Sequence, residues 1–153
     1  MIMKTIILMT LFSTYAIIGF SQKLQGLWQI GTPDLSDAYL GNYTFSDSTF
    51  MYNINGYDGL NPIRTLGGTY TIKSDTIYFT VKYIKKIIGG QLSRSHIYTS
   101  NDSWEMYSDT IHTEKLIPPI CATAFIKFMK IKDNDILLLD GRQYYKIKED
   151  GNN

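Results

Sequence analysis

The side chains able to do acid–base, nucleophilic or metal chemistry are few and poorly spaced for it. His96 and His112 are the only imidazoles, and Cys121 is the only thiol. A structural zinc site ordinarily takes four nitrogen or sulfur ligands, more than this inventory supplies, and one Cys cannot form an internal disulfide. Asp109 stands three residues from His112, a separation that places the two on opposite faces of a strand. A serine triad needs a nucleophile beside one of these imidazoles, and no Gly-x-Ser-x-Gly string occurs. Asp133, Asp135 and Asp140 fall in turn strings, where carboxylates bond the local backbone rather than act as an acid/base pair. Gly67-Gly68 and Gly89-Gly90 lack the Lys-Ser/Thr of a phosphate loop and read as turn or bulge glycines. We therefore expect no enzyme, no metal and no cofactor, with both histidines on the surface or rim.

Recognition by apolar surface is what remains. Tyr43, Phe45, Phe50, Tyr52, Tyr70 and Phe79 share the inward face of successive strands in the pattern below, where they either line a ligand cavity or fill a solid core. The loop from Asn55 to Pro62 carries Tyr57 and Leu60 beside the turn glycines Gly56 and Gly59 and is the best recognition loop in the chain.

These residues are positioned by period-two alternation. From Leu24 onward, short runs of alternating apolar and polar residues are broken by Gly, Asn, Asp, Ser and Pro about every ten residues, which predicts an all-β chain of about eight to ten strands. Ser46-Asp47-Ser48 joins a strand bearing Tyr39, Tyr43 and Phe45 to one bearing Phe50, Tyr52 and Ile54. A Ser74-Asp75 turn pairs Lys73 with Thr76, Ile72 with Ile77 and Tyr70 with Phe79; a one-residue slip would expose this whole apolar set. A similar string at Ile131 to Ile136 predicts an Asp133-Asn134 turn that pairs Met129 with Leu138 and Ile131 with Ile136. Asp140-Gly141 then turns into a last strand with Tyr145 and Ile147 inward and Tyr144 and Lys146 outward. Ile84 to Ile88 either extends its strand or adds a helical turn. Trp104 to Ile111 and Ile120 to Phe128 read as two strands separated at Pro118-Pro119. An antiparallel up-and-down β-barrel satisfies the pattern, because closure removes exposed edges.

The chain has 153 residues, 44% hydrophobic and 14% aromatic, which supports one folded domain and excludes a disordered chain. Fifteen basic against 14 acidic residues leave no excess charge for nucleic acid. Residues 1–21 have a signal-peptide layout: Lys4, an apolar run to Phe20, then Gly19 and Ser21 at the −3 and −1 positions of a cut before Gln22. The run is shorter than the roughly 20 apolar residues of a spanning helix, and no Cys near the cut would carry a lipid anchor. The expected product, residues 22–153, is periplasmic or extracellular, not lipid-anchored, and has no stable membrane span after cleavage. Cys121, a lone thiol, is expected to be buried.

Leu24-Gln-Gly26-Leu27-Trp28-Gln-Ile30 places a Gly-x-Trp on the first strand. Gly68-Thr-Tyr-x-Ile-x-x-Asp75 and the string Ile131-x-Asp-Asn-Asp-x-Leu-x-Leu-x-x-Gly141, running into a Tyr-rich last strand, add to it. From about Leu24 to Lys148 the sequence resembles the short lipocalin-like (calycin) domains of exported bacterial proteins. The resemblance implies a barrel plugged at one end by Trp28, with Arg142 or Lys146 packed on its ring. It also implies a non-catalytic binding protein for a small apolar ligand. The alternative is a protein–protein interaction domain of the cell envelope with a filled barrel core.

Overall fold

Alternating apolar residues on either side of short polar turns produce ten strands among the described residues: β1 (Gly26–Ile30), β2 (Asn42–Phe45), β3 (Thr49–Asn53), β4 (Ile63–Lys73), β5 (Thr76–Ile87), β6 (Gln91–Ser95), β7 (Ser103–Tyr107), β8 (Ile111–Ile131), β9 (Asn134–Leu139) and β10 (Arg142–Ile147). The computed structural model describes residues 23–33, 40–56, 59–95, 103–108 and 110–148. The leader at 1–21 and Tyr39, Tyr57, His96 and Asp109 lie outside the described residues. Eight antiparallel strands close a barrel in the order β1-β10-β9-β8-β5-β4-β3-β2, and β6 and β7 form a separate two-stranded ribbon. No helix among the described residues is long and apolar enough to cross a membrane.

The hairpin registers follow from turn geometry. Ser74 adopts φ 55°, and Lys73 meets Thr76, Ile72 meets Ile77 and Tyr70 meets Phe79. Tyr43 pairs with Tyr52 and Phe45 with Phe50. The β8–β9 hairpin departs from expectation by two residues. Lys132, at φ 55°, makes Lys132-Asp133 the turn, so Met129 faces Ile136 and Ile131 faces Asn134. Side chains keep their faces because the slip is even.

Two further corrections concern strand continuity and facing. Ile84 to Ile87 continue β5, the first of the two expected readings, whereas β8, contrary to the expected break, runs unbroken from Ile111 through Pro118-Pro119 to Ile131. Val81 pairs with Ile120 and Tyr83 with Lys115, so residues 116–119 bulge opposite the single residue Lys82 and the ladder resumes beyond them. A bulge is where a strand tolerates proline. In β10, Tyr144 faces in and is buried in the core, and Lys146 shares that face opposite Trp28. Tyr145 and Ile147 therefore face out, although Ile147 is covered there.

The barrel interior is one cluster in which Trp28, Phe45, Phe50, Tyr70, Ile77, Phe79, Ile126, Leu137, Leu139 and Tyr144 are all buried. Gly68 lies at the irregularity between β4 and β5, where a Cβ would overlap the Thr80 carbonyl oxygen. Only glycine allows this approach of the two backbones.

Candidate functional site

The structure brings all six inward aromatic residues into mutual contact. Tyr43 stands at the centre, its ring centroid 4.5 Å from Tyr52, 5.3 Å from Phe45 and 5.9 Å from Phe79. Phe50 meets Phe79 edge-on at 4.7 Å, and Phe45 meets Tyr70 edge-on at 5.3 Å. These are ordinary contact distances for packed rings, so the six side chains pack as one aromatic cluster on the inner face of β2 to β5. The Tyr70 hydroxyl donates to the Ser46 carbonyl at 2.7 Å, tying the ring to the β2–β3 turn.

Tyr144 joins this set 5.3 Å from Tyr43. Burial pushes the Tyr43 hydroxyl far above its usual pKa, with Tyr144 and Tyr52 adding to the effect. Burial also raises Tyr144, opposed by Arg142. Arg142 thus acts near Tyr43 and Tyr144, at the β9–β10 turn. The cation over Trp28 is Lys146, its Nζ 5.5 Å from the ring.

Trp28 is 1% exposed, and its indole N–H donates to the Leu24 carbonyl at 2.6 Å. Gly26, two residues earlier, has φ 112°, and a Cβ there would meet the Lys146 side chain at 3.3 Å. Gly26, Trp28 and Lys146 form one packed unit. Leu60 is exposed, and neighbouring Gly59 holds the ribbon by accepting the Met106 N–H at 2.8 Å. Arg64 reaches the Met106 carbonyl at 3.0 Å from β4. This loop supports the ribbon.

A feature that sequence reasoning missed lies on β8. Along β8, strand β9 pairs with Ile126 to Ile131 and reaches no further. At the next residue Asp140 ends the ladder: Phe125 N–H donates to the Asp140 carboxylate at 2.8 Å, and Asp140 N–H donates to the Phe125 carbonyl at 3.0 Å. Ile126 N–H turns to Asp75 on the β5 side at 2.7 Å. Antiparallel alternation then turns Ala124, Ala122 and Ile120 toward β5, and Thr123 and Cys121 toward the open side. At the far end Ile88 N–H donates to Thr110 at 3.2 Å. The same alternation points His112 and Glu114 at β5 and leaves the amides of Ile111, Thr113 and Lys115 facing outward.

From Ile111 to Ala124, β8 has no strand on this side among the described residues. Measured along its β5 partner from Ile77 to Ile87, the edge is about 36 Å long at 3.3 Å per residue. Ile117 is 89% exposed and Phe125 68%, with Ile111 and Ile120 also exposed. A hollow of about 350 Å³ beside the Asp140–Phe125 junction is lined by Asp75, Phe125, Ile126, Lys127, Leu138 and Gly141. Cys121 is exposed, contrary to the expected burial, because it pairs with Thr80 and alternates with Ala122, opposite core residue Phe79, which puts its side chain on the barrel's outer face. His112 is exposed on the same strand, and no cluster of potential metal ligands exists among the described residues.

No family model matches the sequence, and neither a curated protein nor a solved structure gives a significant match. The eight-stranded antiparallel barrel is consistent with a lipocalin-like fold.

Proposed function

We propose that this chain is an exported, lipocalin-like barrel that recognises another protein, taking an extended segment of its partner as an added strand on the free edge of β8. The supporting observation is the end of the ladder at Asp140 and Phe125, which leaves the outward amides of β8 without a strand partner among the described residues, beside exposed apolar side chains. Long apolar edges are strand-pairing templates that proteins normally block, and strand addition is a recurrent way of using one. Pro118-Pro119 interrupts the edge with two residues that have no N–H, which limits uncontrolled sheet growth. The leader-like residues 1–21 support a place in the periplasm or outside the cell.

Carriage of a small apolar molecule has less support, because the rings of Tyr43, Phe45, Tyr52 and Phe79 already occupy one another's contact distance. Two screens on the folded chain separate the readings. One titrates fatty acids, retinoids and haem; the other selects binding peptides from a displayed random library. We expect peptides that compete with one another and lose binding in Cys121→Pro and Thr113→Pro, with no saturable small-molecule binding. Saturable binding of an apolar molecule that Tyr70→Trp weakens, with no peptide selected, would contradict the proposal.

A further inference from the structure

We infer that the segment received by β8 alternates acidic and apolar residues and lies beside Ile111–Lys115 with its carboxylates on the barrel's outer face. This rests on the strand-addition reading and goes beyond it by assigning the partner's chemistry. Where β5 and β8 extend past the bulge, Lys82, Lys85, Lys86 and Lys115 stand against a single acid, Glu114. The chain as a whole carries only +1, so this local excess is a segregation of charge.

Glu114 is already committed. It forms an ion pair with Lys86, and that hydrogen bond holds its carboxyl below the usual carboxylate range. Lys86 lies opposite His112, and Ile84 opposite Glu114, so these four share one face. Lys85 lies opposite Thr113 and Tyr83 opposite Lys115, which puts both lysines on the other face. Neither has a carboxylate partner among the described residues.

A strand added at the edge would set its side chains about 4.5–5.5 Å from those of Ile111, Thr113 and Lys115. Acidic residues facing outward would meet Lys115 directly and Lys85 one strand in. The residues between them would turn to the inner face opposite His112 and Glu114, where an uncharged apolar side chain adds no like charge beside Glu114 and lies near half-buried Leu116, with half-buried Ile84 one strand in. A nucleic acid would also be drawn to the lysines, but it has no use for the row of unpaired amides, which favours a peptide.

The test uses the full exported chain and three fluorescent probes: peptides of about ten residues alternating Glu with Val or Lys with Val, and a single-stranded oligonucleotide. The acidic peptide should bind at least about tenfold more tightly than the basic one, and raising salt from about 50 to about 300 mM should weaken it severalfold. Lys85→Glu combined with Lys115→Glu should reverse the preference. Thr113→Pro should abolish binding while the thermal melt stays cooperative, and N-methylation of alternate peptide amides should do the same without altering the protein. Equal binding of both peptides overturns the charge assignment and leaves strand addition standing. Binding of neither peptide overturns both. Oligonucleotide binding that is tighter than the acidic peptide's and indifferent to Thr113→Pro also overturns the proposal.

Discussion

Asp140 and Phe125 exchange two hydrogen bonds, from the Phe125 amide to the Asp140 carboxylate at 2.8 Å and from the Asp140 amide to the Phe125 carbonyl at 3.0 Å. The aspartate does for one residue what β9 does for the six before it, and then the ladder stops. Asp140 also holds φ 48° in the turn with Gly141, a conformation that Asp tolerates better than most side chains.

Asp140→Ala should therefore destabilise by about 1–3 kcal/mol, combining a lost hydrogen bond with left-handed backbone strain. Asp140→Gly relieves the strain and should lose less. Chemical denaturation gives both values, and a loss within about 0.5 kcal/mol for Asp140→Ala would contradict the capping role.

Trp28→Ala should cost about 3–5 kcal/mol, since a buried large aromatic is replaced by a cavity. Lys146→Met keeps most of the packing and removes only the cation over the indole, a loss of about 0.5–1 kcal/mol. Denaturant melts that find the tryptophan change worth less than about 1 kcal/mol would remove its role as the barrel's plug.

Alkaline pH should unfold the protein through its buried tyrosines. Tyr43 and Tyr144 are raised by burial above their ordinary value of 10.0. The unfolded chain therefore loses protons that the folded chain retains, and stability falls as pH rises through about 10. Tyr43→Phe removes one such group and should flatten that fall. Stability measured from pH 8 to 11 checks it, and identical slopes in the two proteins would contradict the assignment.

Export should remove residues 1–21, so the mature protein begins at Gln22. Amino-terminal sequencing after expression with an intact leader decides this. A product that still carries Lys4 would mean that the segment is an anchor.

The β4–β5 hairpin was legible because turn and alternation agree: with Ser74-Asp75 as the turn, only one register brings Ile72, Ile77, Tyr70 and Phe79 together. The last strand was misread because Tyr144 and Tyr145 are equally apolar neighbours, so alternation does not say which faces in; Trp28, paired with Lys146, decides it. Pro118-Pro119 resembles a strand break, yet β5 supplies a partner on both sides of the bulge and carries β8 through. The free edge was not legible at all. Its existence depends on how far β9 reaches along β8, a tertiary fact set by barrel stagger.

Residue-resolved amide exchange along β8 tests the central claim most directly. With the edge free, the amides of Thr113, Lys115, Cys121 and Thr123 should exchange much faster than those of His112, Glu114, Ala122 and Ala124, with Phe125 protected by Asp140. Saturation with a selected peptide should slow the four fast amides by at least about tenfold and leave the others unchanged. Uniform protection along the strand in the free protein, or fast exchange at those four positions in the saturated complex, would contradict the account.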